Sequence, residues 1–228
     1  MKLSPAYLVP LIATALLLLA GCSGPEPNPQ SIPQIDPRTR PTTVAHWTFD
    51  ADRTGSPPQG AEALSGTWTV QSVPDVPTQP NALCQAGIDG PSVLALANTV
   101  YADAVLTARF KPASGEQSPT GGLAFRVQDA KNYYQALVDP RDGKVSLQKY
   151  VNGQSSTIKQ VQAQIQPDQW QELRAELVGN RLRIFLNGQS AIEVSDGTFK
   201  RGMVGLGAPA GSAICFDDAE VRSATPNG

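Results

Sequence analysis

Five residues in the middle of the chain could together contact a ligand rich in hydroxyl groups: Arg126, Asn132, Tyr133, Tyr134 and Lys149. A tyrosine offers a flat apolar face with a polar tip. Guanidinium, amide and ammonium groups add donors whose positions a strand can hold. A sugar ring needs that combination, with an aromatic plane for its C–H face and fixed donors for its hydroxyls. Arg126 is a polar residue centred in the apolar-rich run Leu123–Val127, and Lys149 lies in the next strand but one. Adjacent residues of a strand point to opposite faces, so only one of Tyr133 and Tyr134 can serve a given face. The spacing does not say which. An interior tyrosine beside ordinary surface charges is the plain alternative.

Other chemistries find less support. Glu172 and Glu176 sit four apart on the polar side of a strand with Arg174 between them. Their backbones would be roughly 13 Å apart, which describes a solvated charge ladder better than a carboxylate pair. His46, the sole histidine, falls opposite the apolar Trp47 and Phe49 and reads as exposed and inert. Gly202-x-x-Gly205-x-Gly207 lies among strand residues, without the following helix that a phosphate-binding loop requires. Asp50-Ala-Asp52-Arg-Thr-Gly55 opens like a calcium loop, but Ala61 stands where the twelfth-position acid belongs. A net charge of −2 and the lack of any Lys/Arg run argue against a nucleic-acid binder. No catalytic set can be assigned.

The elements that must position these residues are strands. Short alternating segments punctuated by turn residues run from Val44 to Arg222, the pattern of a sandwich or barrel. Val105, Thr107, Arg109 and Lys111 alternate with Leu106, Ala108 and Phe110, while Leu123, Phe125 and Val127 oppose Arg126 and Gln128. Asn152-Gly153 and Asn187-Gly188 each separate two apolar-rich runs, the strongest short hairpin signal. Residues 122–195 therefore predict a meander of about seven strands, with the amino-terminal half and Met203–Arg222 completing a second sheet. The expected architecture is all-β: a two-sheet antiparallel β-sandwich, a jelly roll. In the last strand Ile214 and Phe216 share one parity and Ala219 and Val221 the other. Either a β-bulge near Asp217-Asp218 absorbs a residue or the strand bends there.

Before the domain, residues 1–21 form a charged tip and an apolar run from Ala6 to Leu19, too short to span a membrane. Leu19-Ala20-Gly21-Cys22 resembles the lipobox of bacterial lipoproteins, which implies cleavage before Cys22, lipidation of that residue and a membrane anchor in the cell envelope; a conventional signal with a chance cysteine at its end is the alternative. Ser23 after it, by the same resemblance, implies the outer membrane where the organism has one. Residues 22–43 repeat proline at Pro25, Pro27, Pro29, Pro33, Pro37 and Pro41, a semi-rigid extended spacer. Residues 44–222 are the domain and 223–228 a tail. Cys84 and Cys215 remain, and in an exported protein such a pair reads as a disulfide, with two buried thiols as the alternative.

Six segments in order carry a wider resemblance: Gly122 to Tyr134, Leu147 to Gly153, Trp170 to Glu176, Arg183 to Gly188, Gly202 to Gly207 and Phe216 to Val221. The set resembles the 3-keto-disaccharide hydrolase family, related to concanavalin A-like lectins and glucanases, over roughly residues 44–222. The resemblance implies a concanavalin A-like jelly roll and a saccharide ligand. The Glu-x-Asp-x-x-Glu strand of related glucanases is missing. Oxidation at the 3-position acidifies the neighbouring C–H, so a 3-keto-disaccharide can be cleaved by elimination without that carboxylate pair. An aspartate on the last strand of related glucanases holds a structural calcium ion, which Asp217 or Asp218 could match; a hydrogen-bonding role in the bulge is the alternative, and no cofactor is required. A saccharide-binding module, an enzyme on 3-keto-disaccharides and a non-catalytic adhesion module of the envelope are the three functions to be distinguished, with a monomer expected.

Overall fold

The computed structural model describes residues 44–86, 90–112 and 119–224; the leader, Cys22 and the spacer lie outside them. One sheet has the order β13 (Gln189–Ser195), β12 (Arg181–Leu186), β11 (Gln171–Val178), β6 (Ala104–Pro112), β15 (Ala213–Ser223), β4 (Asn81–Ala86) and β3 (Trp68–Ser72), with β1 (Val44–Trp47) also paired to β15. The other runs β10 (Gln154–Gln162), β9 (Lys144–Val151), β8 (Asn132–Asp139), β7 (Gly121–Asp129), β14 (Met203–Ala208), β5 (Ser92–Ala95) and β2 (Glu62–Ser65). Every pairing is antiparallel, and no helix occurs among the described residues.

The expected seven-strand meander is present as seven strands but not as one sheet. β7 to β10 follow one another in the seven-stranded sheet, after which the chain crosses and β11 to β13 complete the edge of the other. Met203–Ala208 and Ala213–Ser223 likewise divide between the sheets. Each sheet needs apolar residues on one face only, and splitting the run lets both inner faces close on a shared core. Asn152 and Gly153 at φ 52° and 80°, and Asn187 and Gly188 at 49° and 76°, make the two hairpin turns.

Two bulges aim the side chains that matter. In β15 the register slips between Asp217 and Glu220, and Asp218 adopts φ 47°. Ile214, Phe216, Ala219 and Val221 all reach the core as a result. β4 pairs with β15 before this bulge and β1 after it, on the same flank. In β7 the register slips after Phe125, with Arg126 at φ 50°. Leu123 and Phe125 stay in the core, whereas Val127 joins Ala124 on the outer face, against the alternation expected from sequence.

The core packs Trp68, Leu106, Phe110, Phe125 and Phe216, all fully buried. Each contributes about 1.5–3 kcal/mol by area removed from water. Cys84 and Cys215 form a disulfide across the paired strands β4 and β15, over a sequence separation of 131.

Candidate functional site

Alternation along β8 sends Tyr134, Ala136 and Val138 into the core and leaves Tyr133 and Gln135 on the outer face of the seven-stranded sheet. There the Tyr133 ring stacks on Tyr150 of the next strand, with centroids 4.4 Å apart and planes 13° from parallel. Val93, Ala124 and Val127 pack around the pair, with Leu64 and Met203 at the margin. Two strands away, Gly207 makes room for Gln135: a Cβ on Gly207 would lie 2.3 Å from the Gln135 amide nitrogen. Gln135 is buried, yet neither its amide nitrogen nor its amide oxygen has a hydrogen-bond partner. Leaving such a group buried and unpaired costs about 1–3 kcal/mol, so these atoms mark a place where partners are owed. Burial, reinforced by the neighbouring Tyr150, raises the Tyr133 pKa.

Beside Leu137, the next outward residue of β8, a cavity of about 270 Å³ opens. Asp139, Lys144, Ser146, Gln148 and Ser212 contribute to its lining. Lys144 pairs with Asp142 at 2.8 Å, and this contact lowers the Asp142 pKa and raises that of Lys144. Asp139 Oδ1 accepts the backbone N–H groups of Arg141 and Asp142. The outer face thus continues from an aromatic pair, through an unpaired amide, into a polar cavity.

The structure brings three of the five sequence-selected residues together around Asp196, a residue that sequence reasoning missed. Tyr134 donates to Asp196 Oδ1 at 2.5 Å, and Lys149 donates to Oδ2 and to Thr198 Oγ1, each at 2.8 Å. Burial acts to raise the Asp196 pKa, but hydrogen bonds from Lys149, Tyr134 and Thr198 outweigh it and hold the carboxyl below its ordinary range. Arg126 is fully buried nearby and donates to the carbonyls of Phe199, Gly179 and Ala102. Burial lowers its pKa, an effect partly offset by Tyr134, Asp103 and Asp196. This network closes the sandwich at the β13–β14 loop. Asn132 donates to Asp129 and accepts the Asn152 N–H, tying two hairpin turns together. Of the five, Tyr133 alone belongs to the aromatic face.

On the outer face of the eight-stranded sheet, Glu176 pairs with Arg174 and Arg183, as a charge ladder should. His46 and Arg109 both lie 3.5 Å from Asp218 in a shallow charged cleft. Asp217 is buried, which raises its pKa, and its carboxylate accepts from the Thr78 N–H and hydroxyl and from the Asp218 N–H. That donor set does not fit calcium: Asp217 is already surrounded by hydrogen-bond donors, and Asp218 faces the Arg109 guanidinium and the His46 ring. Among the described residues no three His, Cys, Asp or Glu side chains converge on a metal position.

A levanase from Bacillus subtilis (strain 168) is 34% identical over 93 residues, which are 40% of this chain and 14% of the levanase. The chain therefore spans about a seventh of that curated relative's length. Among solved structures, the carbohydrate binding module CBM66 from Bacillus subtilis matches with TM-score 0.62 and 24% identity, over 71% of this chain and 94% of the module. The GH43 BlXynB protein from Bacillus licheniformis matches with TM-score 0.57 and 14% identity, over 78% of this chain and 39% of that one. Both are likenesses of fold. The family described as the 3-keto-alpha-glucoside-1,2-lyase-like domain matches residues 47–222, nearly the whole sandwich, and the chain belongs to that family.

Proposed function

We propose that this domain binds saccharides on the outer face of its seven-stranded sheet. The observation that carries the reading is the buried Gln135 amide, unpaired at both atoms, beside the stacked Tyr133 and Tyr150. Sugar hydroxyls both donate and accept, so one that enters beside the fully buried Gln135 would complete both atoms of its amide. The partly buried Leu64 and Met203 at the margin of this cluster suit the C–H face of a ring. The polar cavity at Leu137 would take the hydroxyls of a neighbouring unit. The likeness to a carbohydrate binding module and to a levanase supports the ligand class.

The lipobox makes the protein a lipoprotein, anchored through Cys22 in the bacterial cell envelope and presenting a monomeric domain on its proline-rich spacer. Two or more acyl chains on one residue give a stable anchor, where one chain gives marginal binding.

A second reading follows from the family itself: cleavage of a 3-keto-disaccharide. A base removes the proton at C2, the electrons form the C1–C2 double bond, and the C1–O bond breaks as the leaving oxygen takes a proton. Asp139, Asp142 and Lys144, which line the cavity, are its groups able to move those protons.

The test uses protein from Thr43 onward, which keeps every strand of the two sheets. Calorimetric titration with levan oligosaccharides, ordinary disaccharides and 3-keto-disaccharides should show binding that Gln135→Leu weakens at least about tenfold, the loss of one or two hydrogen bonds. Mass spectrometry of the same mixtures reports cleavage, which Asp139→Asn should slow. No heat with any sugar would refute the binding reading, and intact 3-keto-disaccharide would refute the catalytic one.

A further inference from the structure

Where the edges of the two sheets meet, away from the outer face, lies a cleft of about 390 Å³. One wall is the segment that follows β10, and the other is the turn joining β12 to β13. Gln162, Gln164, Gln189 and Ser190 line it together with the apolar Ala163 and Leu186, and no charged group is among its lining residues.

The walls are held by a buried amide. Gln171, 6% exposed, donates to the Gln166 carbonyl at 2.7 Å and accepts the Gln166 N–H at 3.1 Å. The same oxygen accepts from the Asn187 side chain at 3.4 Å, so one residue ties both walls. Asn187 is fixed further by the Glu172 N–H at 2.9 Å, and Ala163 donates to the Gly143 carbonyl at 2.8 Å. Among the described residues no hydrogen bond engages the side chains of Gln162, Gln164, Gln189 or Ser190. The cleft is thus rigid in its frame and open in its hydrogen bonding.

The geometry points to a second saccharide subsite at this rim, for a neutral polyhydroxylated chain. It rests on the reading that the domain binds saccharides and adds where a longer chain makes its second contact. Each amide presents a donor and an acceptor together, which matches hydroxyl groups. Without a fixed charge, the cleft gives no advantage to an acidic sugar, and the aliphatic floor accepts ring C–H groups. Two subsites on one domain strengthen the hold on a polymer spanning both, or on polymers presented side by side, without changing affinity for a short sugar at the outer face.

The experiment uses the full-length protein in mild detergent, run by affinity electrophoresis through gels containing levan, laminarin or, as an acidic control, alginate. Wild type should be retarded by a neutral polymer. Gln164→Ala with Gln189→Ala should weaken that retention about tenfold, a modest avidity loss, while affinity for a short oligosaccharide stays within about twofold. Side-chain amide resonances of Gln162, Gln164 and Gln189 should shift on adding the neutral polymer. Unchanged retention by the double variant overturns the rim subsite and leaves the outer-face reading standing. A wild type that no neutral polymer retards overturns both.

Discussion

Replacing Asp196 with asparagine tests the network that gathers Tyr134 and Lys149. In the native domain one carboxylate oxygen accepts from Tyr134 and the Thr198 N–H, and the other from Lys149 at 2.8 Å. Asparagine can keep its oxygen toward Tyr134 and Thr198, but its amide nitrogen then meets the Lys149 ammonium donor to donor. A charge-assisted hydrogen bond contributes about 1.5–3 kcal/mol. Lys149 is 22% exposed and keeps Thr198 Oγ1 at 2.8 Å, so part of that loss is recovered. The expected destabilisation is about 1–2 kcal/mol, or roughly 2–8 °C in Tm for a domain of this size. Urea unfolding of wild type, Asp196→Asn, Lys149→Met and the double variant measures it directly. The double should cost less than the sum by about 1.5 kcal/mol, because both changes remove the same contact. pH supplies an independent check. A carboxyl held below its ordinary value contributes stability that is complete above about pH 4, the unfolded-state value. That contribution is lost as pH falls through the depressed folded-state value, so the variants should converge with wild type in strong acid. A loss under about 0.5 kcal/mol, the size of an ordinary surface substitution, with no coupling to Lys149, would refute the reasoning.

Gln135→Leu should do two opposite things: stabilise the unliganded domain by about 1–3 kcal/mol, by removing an unpaired buried amide, and weaken saccharide binding. Thermal melts with and without sugar read both, and a destabilised variant would contradict the claim that Gln135 lacks partners. Reducing the Cys84–Cys215 disulfide should cost about 4–5 kcal/mol in the chain-entropy model for so long a loop, measured as the shift in urea midpoint at constant slope. Cys22→Ser should abolish incorporation of labelled fatty acid and move the protein out of the membrane fraction; unchanged labelling would remove the lipobox reading.

Much of the architecture was legible because its signals are local. Asn152-Gly153 and Asn187-Gly188 tolerate positive φ, and their turns fall where the flanking apolar runs required. The parity break between Phe216 and Ala219 announced the β15 bulge, since a strand alternating with period two can keep both halves in the core only by absorbing a residue. The division of β7 to β13 between two sheets was not legible. Either arrangement gives the same alternation along each strand, and only the closing of the core selects one.

The site was legible to a lesser degree. Tyr133 and Tyr134 were visible as a pair of opposite parity, but their faces depended on which side of β8 met the other sheet. Arg126 looked like an outward polar residue until the bulge beside it turned the guanidinium onto three backbone carbonyls. Asp196 lies 62 residues from Tyr134 and 47 from Lys149, and no spacing in the chain could relate them. By itself, then, the sequence determined the strands, their turns, the disulfide pair and the family, because each rests on residue type and short-range order. Tertiary structure alone decided which polar groups are paired inside the sandwich, which, like Gln135, are buried without a partner, and which amides gather at the rim cleft. Hydrogen bonding between side chains depends on distances across sheets, and those exist only once the core has closed.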